Sequence, residues 1–437
     1  QQGDFEVVVL EQDAQWGGKI QTTRPKVEGL GEFIVDGGPD TFITRKPEVW
    51  TLVHELGLGD QLVKDTSEHS GIYILHDAQP IQLKMDPLGF ALSPIMSIWG
   101  KLRMLAEPLI PARRDDGDES LAEFATRRLG REALERLIGP VLGGIYNADP
   151  ETQSIMYTSS VMREMEREYG GLFAGTIGRM RAKRKCREAG EEIPPSFVTF
   201  KDGGKQLIDE LVEQSTADLR LNTAVVGIER SGDSYRIVTD DGSEFEATAV
   251  ILATPANVAA RFLPDIAPEA ARLLETIRHT NLGTMSLAYR RTDIDLDEGL
   301  RGLMIPRKED RAIDAITVTS AKAGSRAPEG LVMLRVYFGG AQPETATMRE
   351  AELVATIRGE LRDLLNLDAE PVMCQAFRWV GSYPAADAGH LERVAQIEEL
   401  LPEGLLVSGS SYRGLGVPDC VRQGRQAAQS IIETITA

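Results

Sequence analysis

The chain has 437 residues, of which 42% are hydrophobic and 26% are charged, and this composition is typical of a globular protein with roughly two or three domains. Its formal net charge of −19 argues against nucleic-acid binding and against strong attraction to anionic lipid. No apolar run reaches the length of about 18 residues that a membrane span needs. Three widely spaced cysteines predict thiols in a reducing, cytoplasmic compartment, and no Cys or His spacing predicts a metal site.

The first predicted element is a buried parallel strand that ends in an acid, because the apolar run Val7–Leu10 is followed by Glu11. In a dinucleotide-binding fold such a carboxylate accepts hydrogen bonds from ribose hydroxyls. Gly17, Gly18 and Lys19 follow, and glycines here let the backbone approach a ligand closely. The G-x-G-x-x-G loop expected about twenty residues upstream is not in the sequence. We therefore expect the natural protein to carry roughly 25 to 35 more residues at its start, the size of one strand–loop–helix unit.

A second glycine motif, Gly37, Gly38 and Pro39, predicts a fixed turn. The turn is either an ordinary tight turn or a place where peptide N–H groups lie against a cofactor. Beyond it, Pro47–Leu56 has the proline at its start and the following glycine that are typical of a helix. Two short apolar runs within Gly71–Leu83 predict a hairpin.

Residues 87–198 are predicted to be mainly helical, with clear helical patterns over Ser120–Leu129 and Arg131–Ile138. Met162–Glu188 has the pattern of one long polar helix, unless the glycine pair within it interrupts the helix. The basic cluster Arg179–Arg187 predicts a solvated helix face or, alternatively, a surface that attracts a polycarboxylate substrate. The apolar stretch Pro87–Pro111 predicts helices packed near a pocket mouth, and a membrane-facing patch is the alternative.

From residue 197 the pattern returns to mixed α/β. A helix is predicted over Lys205–Glu213 after a Gly-Gly turn, and Asp241-Gly242 is the two-residue signal of a hairpin. The other elements predicted between residues 225 and 364 are the strands Val225–Glu229, Tyr235–Thr239, Glu244–Ala247, Ala249–Ala253 (buried), Ile316–Thr319 and Leu331–Phe338, and the helix Thr347–Leu364.

The last motif begins with a buried strand, Leu405–Ser408, which leads into a Gly/Ser loop and then a helix over Asp419–Thr436. Small residues in the loop admit a ligand close to the backbone. The helix N-terminus offers unpaired N–H groups and a positive dipole end, which would stabilise negative charge on a reduced flavin ring. Upstream, Trp379 and Tyr383 line a ring pocket or belong to the core, and the sequence favours neither reading.

The order of elements predicts one cofactor domain that is assembled from separate segments of the chain. We assign residues 1–45, 199–280 and 375–437 to this cofactor-binding domain. Residues 46–86 and 281–374 are assigned to a mixed α/β substrate-binding domain, and residues 87–198 to a helical domain.

Taken together, these motifs resemble the FAD-dependent porphyrinogen oxidases of haem synthesis, within the amine-oxidase-like flavoproteins. The Gly-Val-Pro-Asp-Cys-Val segment that begins at Gly416 is most similar to bacterial coproporphyrinogen III oxidases. The segments that carry the resemblance are Val7–Gln21, Gly37–Phe42, Gly143–Tyr146, Phe200–Leu207, Asn222–Ile228, Val250–Pro255, Arg378–Pro384, Gly389–His390 and Gly409–Gly424.

The resemblance implies an α/β fold in which an FAD domain like that of p-hydroxybenzoate hydroxylase carries an inserted mixed-sheet substrate domain and a helical domain. It places Glu11 at the adenosine ribose and the backbone of Val225 at adenine. The remaining residues that it implies for cofactor binding are Gly17, Gly18, Lys19, Gly37, Gly38, Pro39, Trp379, Gly409, Gly416, Val417 and Pro418.

The implied reaction is the six-electron oxidation of a porphyrinogen to a porphyrin, with O2 as acceptor and hydrogen peroxide as product. No catalytic side chain is indicated, because the cofactor performs the difficult chemistry. Arg45, Lys46 and Arg307 are the candidates for binding the substrate propionates. The resemblance is also compatible with peripheral membrane contact and with transient contact with a ferrochelatase.

The preferred substrate is coproporphyrinogen III, with protoporphyrinogen IX as the alternative. Two further hypotheses stay open: a related flavoenzyme that acts on an amine or a polyene, and a non-catalytic scaffold protein.

Overall fold

The computed structural model describes residues 5–64, 71–84, 86–143, 149–190 and 194–436. Three residues of a segment that carries the family resemblance, Gly144, Ile145 and Tyr146, lie outside these ranges.

The largest sheet contains seven strands of the described chain, and its neighbours are antiparallel except for one parallel pair, Gly302–Met304 with Ile72–His76. One face packs on the helix Glu350–Leu365, whose buried residues Leu353, Ile357 and Leu361 recur every four positions. In spatial order the strands are Met373–Pro384, His279–Arg290, Leu331–Phe338, Ile313–Val318, Gly302–Met304, Ile72–His76 and Gln79–Gln82.

Two short parallel ladders are separate from the large sheet. Val8–Leu10 pairs with Asp218–Arg220, and Val250–Leu252 pairs with Leu405–Val407. The parallel pairing confirms the prediction, but the expectation that Val7–Glu11 is a buried strand is wrong. Val8 and Val9, whose side chains point to opposite faces, are 36% and 39% exposed, so neither face of this strand is fully covered by the described residues. Ile251 is also exposed, so the second predicted strand, Ala249–Ala253, is only partly buried.

The other strands form small antiparallel sheets. The predicted hairpin at Asp241-Gly242 is confirmed, and Gly242 has a left-handed φ of 81° in the turn. The pairs and triplets are Val225–Ser231 with Ser234–Thr239 and Glu244–Ala247; Phe42–Ile43 with Phe197–Phe200 and Leu62–Lys64; Thr22–Thr23 with Val35–Asp36; and Lys26–Val27 with Gly31–Glu32.

Two helices replace the single long helix that Met162–Glu188 suggests. Ile155–Tyr169 ends at Gly170, whose left-handed φ of 82° terminates the helix, and Leu172–Glu188 starts two residues later. The glycine pair therefore does interrupt the helix. A segment of π-helix, Leu134–Gly143, contains Pro140 and continues the short helix Arg131–Ala133.

The sequence did not predict four of the remaining helices: Ala256–Ala259, Pro268–Glu275, Thr319–Lys322 and His390–Leu400. The others lie where it predicts helical structure. None of the described helices is long and apolar enough to cross a bilayer. The C-terminal helix packs against Pro47–Glu55 through a shared apolar cluster. In chain order these helices are Pro47–Glu55, Pro87–Leu92, Ile98–Leu105, Leu121–Leu129, Lys205–Glu213, Ala256–Ala259, Pro268–Glu275, Thr319–Lys322, His390–Leu400 and Val417–Thr436, with 3-10 turns at Gly59–Gln61, Glu107–Leu109, Ala260–Phe262, Arg291–Asp293, Arg307–Glu309 and Pro343–Thr347.

The helical part, residues 87–190, is held together by a buried ionic cluster. Glu107 and Arg128 are both fully buried and form an ion pair. The Glu107 carboxylate also accepts hydrogen bonds from the peptide N–H groups of Leu172 (2.8 Å) and Phe173 (3.2 Å). Glu107 therefore fixes the start of the helix Leu172–Glu188 against the turn Glu107–Leu109.

Candidate functional site

The Gly37–Gly38 turn lies between the large sheet and the first glycine segment. The carbonyl of Gly37 accepts hydrogen bonds from Trp379 Nε1 (3.2 Å), Thr284 Oγ1 (3.3 Å) and an Arg335 guanidinium nitrogen (3.1 Å). The same Arg335 nitrogen donates to the carbonyl of Gly38 at 2.6 Å. Three side chains from adjacent strands of the sheet thus fix the orientation of this turn.

The turn packs tightly against the first glycine segment. The Gly37 N–H donates to the carbonyl of Gln21 at 2.8 Å. A Cβ at Gly38 would collide with the carbonyl oxygen of Lys19, and a Cβ at Gly37 would collide with the ring of Phe377. Glycine is required here because the two chain segments approach each other more closely than a side chain allows.

A buried group of charges lies under the same turn. The Asp40 carboxylate is 3.4 Å from both Lys322 Nζ and an Arg335 guanidinium nitrogen, and the Asp36 carboxylate is 2.9 Å from the guanidinium of Arg326. Burial opposes ionisation of Asp40, but the charges of Lys322, Arg335 and Arg326 outweigh it and hold its pKa well below the usual range. Asp40 is therefore an anion that fixes the cations around the turn.

The loop after the strand Leu405–Val407 is held by two histidines and a tyrosine. His279 Nε2 lies 3.0 Å from the Ser411 hydroxyl, and His390 Nε2 donates to the carbonyl of Tyr412 at 2.9 Å. The hydroxyl of Tyr157, which belongs to the helical part, donates to the carbonyl of Ser410. The large sheet, the helix His390–Leu400 and the helical part therefore meet at this loop.

The two histidines are neutral near pH 7. Burial lowers the pKa of His279, and the nearby positive charge of Lys19 lowers it further. Burial likewise lowers the pKa of His390. Neither imidazole therefore adds a positive charge at the loop.

Lys19 connects the first glycine segment to the last. Burial lowers the pKa of its ammonium, and its charge acts on both His279 and Cys420. Burial raises the pKa of the Cys420 thiol to about 11, and the neighbouring Asp419 adds to the effect. The segments that contain Gly17–Lys19, Gly37–Gly38 and the loop before Cys420 therefore share one region of the molecule, and this convergence defines the candidate site.

The beginning of the C-terminal helix is stabilised by an acid. Asp419 is buried, its carboxylate lies 2.7 Å from Lys46 Nζ, and it packs over Gly414, whose φ of 135° and close contact exclude a side chain. The helix itself begins at Val417 rather than at the predicted Asp419. Lys46, which the sequence suggests for substrate binding, therefore has a carboxylate partner within the protein.

The other predicted cofactor residues occupy positions around this region. Glu11 follows the strand Val8–Leu10, accepts a hydrogen bond from the Asp13 N–H at 2.9 Å, and its carbonyl accepts from the N–H of Thr223. Val225 starts the neighbouring antiparallel sheet two residues after Thr223. The Pro39 carbonyl faces Gly204, and the Gly416 carbonyl accepts from the Cys420 N–H at 3.0 Å. Gly409 has a left-handed φ of 127°.

A cavity of about 180 Å³ lies between the helical part and the large sheet. Arg307 and Lys308 line it, together with Arg131 and Glu135 from the helical side. Asp314 also lines it, and burial raises the pKa of its carboxyl group. None of the glycine segments lines this cavity, so it is a separate feature from the convergence described above. Arg45 is exposed at the surface.

Sequence reasoning did not identify several residues that organise the site: Tyr157, His279, Arg335 and Ser411. One signal was available for Arg335, because an arginine within the apolar strand Leu331–Phe338 requires a buried partner. No local pattern marks His279 or Tyr157, since their partners are more than 100 residues away in the chain.

Comparison with known proteins identifies the family of this chain. The sequence profile described as "Flavin containing amine oxidoreductase" matches residues 1–432. The chain is 30% identical to coproporphyrinogen III oxidase of Bacillus subtilis (strain 168), over 98% of this chain and 92% of the relative. It is 31% identical to coproporphyrinogen III oxidase of Staphylococcus aureus (strain NCTC 8325 / PS 47), over 99% and 94%.

Among solved structures, the chain is similar to a candidate protoporphyrinogen oxidase from Exiguobacterium sp. 255-15, with a TM-score of 0.82 and 25% identity over 99% of this chain and 94% of the other. Cyclohexylamine oxidase from Brevibacterium oxydans IH-35A shares the fold, with a TM-score of 0.68 and 15% identity over 98% and 93%. The sequence profile, the relatives and the shared fold agree, and the chain belongs to the family of flavin-containing amine oxidoreductases.

Proposed function

We propose that this protein is an FAD-dependent oxidase that converts coproporphyrinogen III to coproporphyrin III, with O2 as electron acceptor and hydrogen peroxide as product. The observation that carries the proposal is the full-length similarity to coproporphyrinogen III oxidases, in a chain whose separate glycine segments converge beside the large sheet. Protoporphyrinogen IX is the second candidate substrate. It is favoured by the 25% identity to Arabidopsis thaliana protoporphyrinogen oxidase 2, chloroplastic/mitochondrial, over 98% of this chain.

The residues around the glycine segments fit a flavin nucleotide. Among the described residues, a Cβ at Gly18 would meet nothing within 4 Å, and one at Gly409 would meet only the Ala253 carbonyl at 3.9 Å. Open space therefore lies against the backbone at both positions. The Thr254 hydroxyl, next to Ala253 in sequence, is buried without a hydrogen-bond partner among the described residues. An extended polar ligand that lies along exposed peptide groups would use such features.

Each end of the proposed cofactor site has a distinct role. Glu11 would accept hydrogen bonds from the ribose hydroxyls, and the backbones of Gly17, Gly18 and Val225 would flank the adenosine half. At the other end, the helix that begins at Val417 would present the positive end of its dipole to the loop. Bound FAD would supply the acceptor for the hydrides that leave the substrate.

The protein's own residues would hold the loop and exclude water. Arg335 and Trp379 fix the Gly37 carbonyl, and His279 and His390 hold the loop as uncharged groups. Neither imidazole is protonated near pH 7. Neither therefore adds a positive charge that would change the reduction potential of a flavin ring beside the loop.

The substrate carries four carboxylates, which guanidinium groups bind well. Arg307 is the strongest of the proposed propionate residues, since it is exposed and lines the cavity together with Lys308. Arg131 also lines the cavity, but its charge is compensated by Glu135 and Glu151. The charge of Lys46 is compensated by Asp419, and Arg45 lies at the surface. We place Arg307 first among the three for this reason.

The test is direct. Purified protein is supplied with FAD, and coproporphyrinogen III or protoporphyrinogen IX is added in air while porphyrin fluorescence and O2 uptake are recorded. We expect both signals, with the larger kcat/KM for coproporphyrinogen III. A protein that binds FAD but turns over neither porphyrinogen would contradict the proposal, and turnover of putrescine or cyclohexylamine instead would favour an amine oxidase.

The variant Arg307→Gln refines this test. It should raise KM for coproporphyrinogen III more than for protoporphyrinogen IX, because the latter has two propionates fewer. Arg272→Gln, on an exposed helix surface, is the matched control and should change neither value.

A further inference from the structure

We propose that His76, Asp77 and Glu309 form a binding site for Zn²⁺, named here the hairpin site. His76 and Asp77 lie at the turn of the hairpin whose first strand is Ile72–His76, and Glu309 ends the 3-10 turn Arg307–Glu309. None of the glycine segments contributes to the hairpin site, and this inference does not depend on the proposed function.

The parallel pairing within the large sheet brings these residues together. The strands Ile72–His76 and Gly302–Met304 run in the same direction as direct neighbours. Parallel strands end at the same edge of a sheet, so the residues that follow the two strands emerge side by side. Asp77 and Glu309 are therefore in contact although they are 232 positions apart in the chain, and no local spacing in the sequence indicates the site.

The three side chains direct one imidazole and two carboxylates at a shared point. One possible ligand atom from each of the three residues lies within 4.8 Å of the other two. His76 Nε2 is 3.5 Å from an Asp77 carboxylate oxygen. Two ligand atoms bound to zinc at about 2.1 Å in a tetrahedral arrangement lie about 3.4 Å apart. This pair of atoms therefore already has the separation that zinc requires.

The hairpin holds the carboxylate of Glu309 in place. Its two oxygens accept hydrogen bonds from the peptide N–H groups of Asp77 (3.1 Å) and Ala78 (3.0 Å), one on each oxygen. A carboxylate has about four acceptor positions, so each oxygen keeps a lone pair for a metal. Hydrogen bonds of this kind orient the ligands of protein metal sites. The position of Glu309 is therefore set before a metal binds.

The charges at the hairpin site lack a compensating cation. The carboxylates of Asp77 and Glu309 are close enough for their negative charges to repel each other. Among the described residues, neither carboxylate forms an ion pair with a lysine or an arginine. A proton on His76 compensates one of the two charges, whereas a divalent cation compensates both. The charge distribution therefore favours a divalent cation over a simple ion pair between His76 and Asp77.

The types of donor atom favour zinc among the divalent cations. Mg²⁺ and Ca²⁺ take oxygen ligands, whereas imidazole nitrogen suits Zn²⁺. Zinc sites with three protein ligands keep a fourth position for water. The side chain of His76 is 15% exposed and that of Asp77 is 85% exposed. The hairpin site is therefore open to solvent on the side of Asp77, where water has access to the fourth position.

Bound zinc would restrain the turn that carries two residues of the cavity. Arg307 and Lys308 belong to the same 3-10 turn as Glu309, and both line the cavity between the helical part and the large sheet. Zinc would join this turn to the hairpin. Because the two segments are held together only in the folded chain, zinc should stabilise the folded state as its concentration rises.

The experiment is calorimetric titration of the full chain with ZnCl2, after removal of metals with EDTA and dialysis. We expect one site per chain and a melting temperature that rises with the zinc concentration. MgCl2 at the same concentrations should produce neither signal, because Mg²⁺ prefers oxygen ligands. Absence of stoichiometric zinc binding would overturn the proposal.

The variant Asp77→Asn removes one ligand charge and retains the turn. Asp77 has a left-handed φ of 50°, which asparagine also adopts readily. Zinc affinity should fall by at least about tenfold. Asp241→Asn is the matched control, because Asp241 also lies in a hairpin turn and belongs to no group of potential metal ligands among the described residues.

The variant His76→Gln tests the imidazole, and it should also weaken zinc binding by at least about tenfold. Its matched control is His54→Gln, on the exposed surface of the helix Pro47–Glu55. Melting temperatures in EDTA establish that each variant is folded. The increase in melting temperature with zinc should be lost in the two site variants and kept in the two controls. Wild-type zinc affinity in Asp77→Asn and His76→Gln, or equal loss in the controls, would contradict the assignment of the hairpin site.

Discussion

The protein buries charged side chains in two clusters, and the clusters differ in what they hold. In the helical part, Glu107 pairs with Arg128, and Glu166 accepts from Arg163 at 2.6 Å. Under the Gly37–Gly38 turn, Asp40 pairs with Arg335 and Lys322. In both clusters opposite charges compensate the loss of hydration that burial imposes.

The difference lies in the backbone groups that each cluster contacts. Glu107 holds the N–H groups at the start of a helix, so its cluster joins secondary-structure elements. Arg335 holds the carbonyls of Gly37 and Gly38, so its cluster fixes a turn of the candidate cofactor site. Disruption of the first should affect stability alone, and disruption of the second should affect stability and ligand binding together.

The largest effect is expected for Arg335→Ala. It removes one of the two cations that pair with the Asp40 carboxylate and leaves the Gly38 carbonyl without its guanidinium donor, which together cost about 3 to 5 kcal/mol of unfolding free energy. The Gly37 carbonyl also loses one of its three side-chain donors. FAD affinity should fall by at least about tenfold, equivalent to about 1.4 kcal/mol. Urea unfolding and titration of flavin fluorescence measure the two quantities. Unchanged FAD affinity in a folded variant would remove the distinction between the clusters.

Arg128→Ala tests the other cluster. The uncompensated Glu107 should lower the unfolding free energy by about 3 to 5 kcal/mol, whereas FAD affinity should stay at the wild-type value. Urea unfolding and the same flavin titration measure both. Arg272→Ala, which removes an exposed ion pair with Glu269, is the control and should cost about 1 kcal/mol or less.

Gly38→Ala probes the close approach itself. The added methyl group collides with the Lys19 carbonyl, and such overpacking costs about 1 to 3 kcal/mol. FAD affinity should fall as the two glycine segments separate. Gly424→Ala, on the C-terminal helix, is the matched control, since the added methyl group meets none of the described residues within 4 Å. It should stabilise the protein by about 0.5 to 1 kcal/mol.

The smallest effect concerns pH. Burial lowers the folded-state pKa of His279 and His390, so the unfolded chain binds more protons than the folded chain as pH falls below about 6.5. The stabilisation is complete above that pH and is lost as pH falls towards the folded-state pKa. Urea unfolding between pH 7.5 and 6 should show this loss, and His390→Gln should show a shallower slope.

The sequence predicted those features whose cause lies within a few residues. The helix Lys205–Glu213, the Asp241-Gly242 hairpin and the parallel pairing of Val8–Leu10 follow from local periodicity and turn chemistry, and all are confirmed. Burial of Val7–Val9 was predicted wrongly, because it depends on which distant segments cover the strand.

The site shows the same division. The glycine segments were recognisable because close approach of two backbone segments and left-handed φ angles both favour glycine, which can be read directly in the sequence. The groups that orient them were not recognisable: Arg335 meets Gly37 across 298 positions, and His279 meets Ser411 across 132. Lys46 illustrates the limit, because its sequence neighbours gave no indication that its partner is Asp419.

Tyr157 connects the helical part directly to the candidate flavin loop, because its hydroxyl donates to the Ser410 carbonyl. Its ring also packs edge-on against the ring of His390, with 4.8 Å between the two ring centroids. A ligand of the helical part that favours one position of this helix also favours one conformation of the loop. Thermodynamic reciprocity then requires that occupancy of the loop change the affinity for that ligand by the same factor. Ligand binding to the helical part and retention of the flavin would accordingly report a single conformational equilibrium.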